Sequence, residues 1–529
     1  MLYPLFFVAV FLSHWTLLRL PYFWDEAGYY IPAALDFFRT GTLIPQSTIS
    51  NAHPPLPSIL LAAWWHLSGY VISGTRTFIC IVSSAALLGV FRLARRLGGD
   101  LTAAVVTLLT AAYPVWFAQS TLAHADIFAA AFTLWALSFY LAPQVTSHDH
   151  SRVVLEPPRS ASNTLAIAVL FSLAVLSKET AIVTPAALAA WELFGLLRQP
   201  APSRSLRSSF PAIGALIAPV LPLAAWYAYH HHRTGFVFGN PEFLRYNATA
   251  NLDAHRFLLC LWHRFLHLTM HMNMFVPVLC TAAAVLRPVL RGREHSHLSR
   301  PVCYAIAAIL VGNLLAFSIL GGALLTRYLL PMYPLILLVC VTEWRRHLRL
   351  WWAVAALSFA AFTAAIWLDP PYAFAPEDNL TYRDMIVLHQ QAIGLIAQRF
   401  PEAHVLTAWP ATAELEHPEL GYTRRPIATT AVPNFSLGQL QDSAHLAPSF
   451  DTALLFSTKW EPPPGQANIG KGNEPADARY FDFHHDLQPP AAAALLHGAI
   501  VWEAHRRGEW VAVLRFDRDR PATGRTSAP

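Results

Sequence analysis

Eleven apolar stretches fill the first 368 residues of this 529-residue chain, at 2–20, 73–93, 101–118, 127–142, 163–177, 180–197, 211–229, 266–286, 302–320, 323–342 and 351–368. At about 1.5 Å per helical residue most are of a length to cross a hydrocarbon layer of about 30 Å, the fifth being short. Inside lipid every backbone N–H and C=O must be paired within the protein, which leaves helices or a closed barrel, and runs of this length are helical. The charges agree. Only 13% of the residues are charged, against about 25% in soluble chains. Residues 1–368 hold 13 of the 32 acids and residues 369–529 the other 19. The break falls at Asp369-Pro370-Pro371. A mainly α, polytopic membrane helix bundle of about 11 spans is expected over 1–368, followed by a small soluble α/β domain over 369–529. In that tail the strand-like runs His404–Ala408, Thr452–Ser457 and Trp510–Phe516 alternate with helical ones at Met385–Arg399 and Ala491–Ala499.

Arginine sets the orientation. Five loops, around Arg92/Arg95/Arg96, Arg152/Arg159, Arg198/Arg204/Arg207, Arg287/Arg291/Arg293/Arg300 and Arg345/Arg346/Arg349, hold 15 of the 24 Lys and Arg in residues 1–368. Basic loops stay in the cytoplasm, so the net charge of +5 is a topology signal and not a nucleic-acid footprint. The opposite face, the periplasm of a bacterial inner membrane, then receives loop 21–72, the turns near 119–126 and 178–179, loop 230–265, Gly321–Gly322 and the tail. Met1–Leu20 lacks the basic start and small-residue cleavage site of a signal peptide and is expected to stay as the first span, with the N-terminus inside. Segments 27–39 and 55–68 carry apolar residues at helical spacing and should form two surface helices. The five cysteines show no ligand spacing and read as buried thiols.

The chemically suggestive residues all fall on that outer side. Trp24-Asp25-Glu26-Ala27-Gly28-Tyr29-Tyr30 follows the first apolar run, and His53-Pro54-Pro55-Leu56 lies on the same loop. Carboxylates beside lipid are costly and mark function, and this pair suits general acid–base work. Lys178 is the one lysine in residues 1–368. A compact ammonium there suits a lipid phosphate; the plain alternatives are a pair with Glu179 or snorkelling to headgroups. Thr326-Arg327-Tyr328-Leu329-Leu330-Pro331-Met332-Tyr333-Pro334 opens the tenth run, with a guanidinium able to grip phosphate and two prolines expected to kink the helix. In His124-Ala125-Asp126 the aspartate is either functional or a helix cap. His263, His267 and His271 stand at helical spacing and His230-His231-His232 on the same side, which leaves metal binding open; interface-lining histidines are the alternative.

In order, spacing and common side of the membrane, these motifs resemble the GT-C glycosyltransferases, among them the protein mannosyltransferases and the aminoarabinose transferase of lipid A. The resemblance covers about residues 1–370. It implies a GT-C-like fold and an inverting hexosyl or pentosyl transferase that takes its sugar from a polyprenyl phosphate. It implies Asp25, beside Glu26, as the base; His53, Lys178, Arg327 and Tyr328 around the donor phosphate; and His124 and Asp126 as a second acidic site, where some members bind a divalent metal. Arg76 resembles a recurrent arginine of the family. The partners implied are a polyprenyl-phosphate-linked sugar, a periplasm-facing lipid, glycan or protein acceptor, and the bilayer, with no nucleic acid. A transporter is the first rival, but transporters place their ionisable residues near the midplane, at repeat interfaces. A catalytically silent scaffold is the second, and it would not need the acidic pair and the basic residues together.

The topology makes a prediction. Alkaline phosphatase fused after Pro529 should be active and a cytoplasmic reporter fused there silent; the reverse pattern would put the motif residues in the cytoplasm.

Overall fold

A computed structural model of the chain describes residues 2–141, 160–198, 206–241, 253–293, 298–320, 324–462, 465–469, 474–481 and 483–516. Arg152, Arg159, Arg204 and Gly321–Gly322 lie outside the described residues. The chain divides into two compact units, one of Met1–Arg19, Tyr29–Leu368 and Glu377–Asn379, the other of Leu20–Gly28, Asp369–Pro376 and Leu380–Pro529.

The first unit is a helix bundle built around Ala125–Tyr140, in which 13 of 16 residues are buried, so this helix is its core. Its alanines let neighbours approach closely: Ile72–Ala112 packs on one side and Ala161–Ser177 on another. Trp135 donates from Nε1 to the Ala85 carbonyl (2.8 Å). Helix Ile72–Ala112 joins two of the expected runs, and the join is Gly99, at φ 79° and ψ 177°, a backbone region open in practice to glycine alone.

The two helices expected in loop 21–72 form, over Ile31–Thr40 and Leu56–Ser68. They pack on each other. Between them the Asp36 carboxylate accepts from the Gln46 and Ser47 amides at 2.6 and 2.8 Å.

The expected eleven runs do not all appear as long helices, and the count of eleven is not confirmed. Among the described residues, four helices are long and apolar enough to cross a membrane: Ile72–Ala112, Glu179–Arg198, Phe210–Thr234 and Arg300–Ile319. Ala254–Asn273 and Phe275–Val285 make a fifth if taken together, although they are bent by 98°. Leu2–Ser13, Ala125–Tyr140, Ala161–Ser177 and Trp351–Trp367 are apolar but shorter. Local chemistry shortens them. The first helix stops at Ser13 because the His14 ring turns back to the Val10 carbonyl (2.7 Å) and across to that of Phe117 (2.9 Å). The tenth run becomes a helix only from Met332. Pro331 caps that helix and Pro334 lies in its first turn, where no intrahelical N–H is required. The expected kink is therefore absent there.

The second unit contains a five-stranded sheet of order β2-β1-β3-β5-β4, with β1 His404–Ala408, β2 Ala428–Val432, β3 Thr452–Phe456, β4 Ala499–Arg506 and β5 Glu509–Arg515. Strands β2, β1 and β3 are parallel, and β5 is antiparallel to both β3 and β4. Every residue of β3 is buried, as befits a central strand covered on both faces. Helix Thr381–Arg399 packs on β4 and β5. Arg507 fixes the hairpin tip by gripping Asp369 through Nε (3.0 Å) and Nη2 (2.6 Å). Segment Leu20–Gly28, which carries the acidic pair, folds with this unit.

Candidate active site

The core of the first unit has a charged centre. His124 precedes helix Ala125–Tyr140 in extended conformation without a side-chain cap, and Asp126 is buried in the first turn. Its carboxylate does not cap the helix. Lys178 Nζ lies 2.6 Å from Asp126 Oδ1, and Arg327 Nε lies 3.3 Å from Oδ2. Arg327 also pairs through Nη1 with Glu377. The four side chains are between 2% and 6% exposed, so water screens these charges little.

Each element arrives for a local reason. Lys178 ends helix Ala161–Ser177 in extended backbone, and a 3-10 turn, Glu179–Ile182, restarts the chain after it. Arg327 sits in the 3-10 turn Thr326–Leu329, held by Tyr333, whose hydroxyl donates to the Thr326 carbonyl (3.1 Å). Tyr328 presents its ring to the cations. The Lys178 ammonium lies 3.9 Å from the ring centroid, and the guanidiniums of Arg264 and Arg327 lie 5.6 and 5.8 Å from it. A cation over an aromatic face is attracted by its quadrupole.

His53 belongs to the same unit but has another carboxylate: its Nδ1 is 2.9 Å from Glu179 Oε2. The Tyr30 ring is 5.9 Å from the ring of His53 and 5.9 Å from that of His124, which links the two groups. His124 Nδ1 meets Gln119 Oε1 at 2.8 Å. Burial, then the charges of Arg327, Lys178 and Arg76, hold the His124 ring well below the usual histidine range. Arg76, fully buried, donates to the Thr121 carbonyl (2.7 Å).

The sequence-derived residues are thus partly gathered. His53, His124, Asp126, Lys178, Arg327 and Tyr328 share the first unit; Asp25 and Glu26 belong to the second. Lys178 turns to Asp126 and not to Glu179 or to lipid. Glu26 is buried and accepts from the Phe23 amide at 2.9 Å, while Asp25 is half-exposed. Glu377 and Asp378 were missed. Asp378 accepts from Thr326 and meets His271 Nε2 at 3.0 Å. Their only sequence signal was a second adjacent acidic pair soon after the last apolar run.

The site does not fit a divalent cation. Asp126 is flanked by two cationic side chains, and among the described residues no three His, Cys, Asp or Glu converge as ligands. The rings of His267 and His271 are 5.6 Å apart, but His271 stands in the 3-10 turn His271–Asn273 and turns its Nε2 to Asp378.

Asp126→Ala would leave two buried cations short of a carboxylate. Breaking such a pair costs about 3–5 kcal/mol, so the variant's midpoint of thermal unfolding in detergent should fall well below that of Asp126→Asn, which keeps a hydrogen-bond acceptor.

Residues 52–227 match the model of a family described as dolichyl-phosphate-mannose-protein mannosyltransferase. That stretch includes His53, Arg76, His124, Asp126 and Lys178. No curated protein gives a significant match. Among solved structures, ArnT from Cupriavidus metallidurans, bound to undecaprenyl phosphate or in the apo state, is similar over 96% of this chain and 97% of its own, at 15% identity and a TM-score of 0.53. The Archaeoglobus fulgidus oligosaccharyltransferase is similar over 85% of this chain and 68% of its own at 12% identity, with a TM-score of 0.47. The fold is that of GT-C enzymes. The chain is thus similar to GT-C glycosyltransferases in fold and, over residues 52–227, in sequence pattern.

Proposed function

We propose that this protein moves a sugar from a polyprenyl phosphate to a periplasm-facing lipid, glycan or protein acceptor, with inversion at the anomeric carbon. The observation that carries this reading is the buried group Asp126–Lys178–Arg327–Tyr328. Three cations around one ring repel one another, and Asp126 and Glu377 offset part of that repulsion. A phosphate added to the group would gain the rest. The bound undecaprenyl phosphate of the ArnT structure, a protein of the same fold, supports the choice of ligand.

In the proposed reaction Asp25 takes the proton from an acceptor hydroxyl or amine. The freed electron pair attacks the anomeric carbon, the bond from that carbon to the phosphate oxygen breaks, and the electron pair leaves on the lipid phosphate. Lys178, Arg327 and His53 stabilise the charge that develops on that phosphate, an interaction stronger in the transition state than in the ground state. Tyr328 supports the ammonium from below. Asp126 keeps both cations charged and aimed when no phosphate is bound. No covalent enzyme intermediate is needed.

Asp25→Asn should abolish transfer with membrane insertion intact, since loss of a general base costs about 10²–10⁴ in rate. Turnover by the purified variant near that of the wild type would remove Asp25 from the role. Lys178→Ala should weaken polyprenyl-phosphate binding severely and Lys178→Arg partly; binding by Lys178→Ala as tight as wild type would leave the phosphate to His53 and Arg327. Mass spectrometry of envelope glycolipids and glycoproteins with and without the protein would identify the acceptor.

A further inference from the structure

We propose that Trp409 is a positioning residue for Asp25: its indole clamps the turn that carries the acidic pair, so the C-terminal unit sets where the base points. This rests on the reading of Asp25 as the base.

The segment before the acidic pair is tied to the tail at both backbone polar groups of Tyr22. Its amide donates to the Leu420 carbonyl (3.2 Å), and its carbonyl accepts from the Tyr422 hydroxyl (3.0 Å). The Phe23 ring lies 5.8 Å from that of Tyr382. At Trp24 the chain enters the left-handed region, φ 46°, which is uncommon for a bulky residue and persists only when its surroundings enforce it. The enforcing contact is visible: the Trp24 indole meets that of Trp409 edge-on, 5.0 Å between centroids and 80° between planes.

The second contact is one turn along. The Gly28 amide donates to the Trp24 carbonyl at 2.9 Å, which places Trp24 and Gly28 on one face of the turn. A Cβ at position 28 would stand 2.5 Å from Trp409 Nε1, 2.8 Å from Cζ2 and 2.9 Å from Cε2. The indole fills the space that a side chain at 28 would need. Asp25 lies inside this bracket, and the buried Glu26 closes the turn behind it through the Phe23 amide. The turn is π-helical over Glu26–Tyr30, a widened form common at functional sites. Trp409 directly follows β1, the strand held between parallel β2 and β3, so the clamp has rigid backing. Neither indole is fully buried, unlike Trp65, Trp116 and Trp344 of the core.

The test compares Gly28→Ala, Trp409→Ala, Trp409→Phe and the double variant Gly28→Ala/Trp409→Phe. Turnover is counted per molecule able to bind polyprenyl phosphate, so that a misfolded fraction does not register. A displacement of about 1 Å at a reacting group costs up to about 10²-fold. Gly28→Ala and Trp409→Ala should therefore each lose between about tenfold and 10²-fold in kcat, with KM for the donor within about twofold. Trp409→Phe removes the indole edge that the new methyl meets, so the double variant should turn over faster than Gly28→Ala alone. Gly28→Ala at wild-type kcat, or a double variant whose losses multiply, would overturn the proposal, and both readouts survive if Trp409→Ala fails to fold. Asp25→Asn run alongside separates the two readings. If it is inactive while Gly28→Ala is unimpaired, the positioning role alone fails; if it is active, the base assignment fails and the positioning role with it.

Discussion

One carboxylate organises the centre of the helical unit. Asp126 is shared by Lys178 and Arg327, which come from the end of one helix and from a 3-10 turn before another. Removing three charges from water is expensive, and attraction in a low-dielectric interior compensates only when the geometry is good and the remaining valences are satisfied. Here Arg327 also holds Glu377 and Lys178 rests on Tyr328. Such a group contributes little net stability against an apolar replacement, but it fixes which helix ends meet. Apolar helices in lipid have little to choose among packings, because a hydrocarbon surface matches lipid as well as it matches a neighbour. The ion pairs supply that choice.

The sequence already contained most of this centre. Lys178 was conspicuous because arginine serves the other basic positions of residues 1–368, and Asp126 and Arg327 because ionisable side chains beside apolar runs need partners. What it did not contain was who pairs with whom. Glu179, adjacent in the chain, was the natural partner for Lys178, yet consecutive residues point in different directions, and Glu179 meets His53 instead. Glu377 and Asp378 were hidden by their surroundings, since a composition shift at Asp369 made every later acid look like part of a soluble domain. The apolar character of the helices was legible, but their breaks were not. Hydropathy averages over a window, whereas His14, Gly99 and Pro331 act at single residues.

The tail was half legible for a related reason. Strands β1, β3 and β5 are buried and β-branched or aromatic in character, and their positions agree with the expected runs to within a residue. Strand β2, Ala428–Val432, buries only Val432, and β4 is mostly exposed. An edge strand owes its existence to the neighbour it bonds to, and that partner is distant in sequence. The same holds for segment Leu20–Gly28. Adjacent to the first apolar helix, it reads as part of the membrane domain, while Tyr22, Phe23 and Trp24 find partners in the tail, at Tyr422, Tyr382 and Trp409.

The lone lysine is the last step of the argument. Lys178 must touch Asp126 at 2.6 Å while lying 3.9 Å from the centre of the Tyr328 ring. An ammonium is compact and can direct its three protons to a carboxylate, an aromatic face and an incoming oxygen at once. A guanidinium is planar and would satisfy the carboxylate by a two-pronged grip that turns its remaining N–H groups into one plane. Arg327, which has Glu377 as a second carboxylate, uses that plane. On the proposed reading the difference has a chemical use: a point charge on a flexible stem can follow the phosphate as its bond to the sugar lengthens, while the arginine beside it, held by two carboxylates, stays fixed.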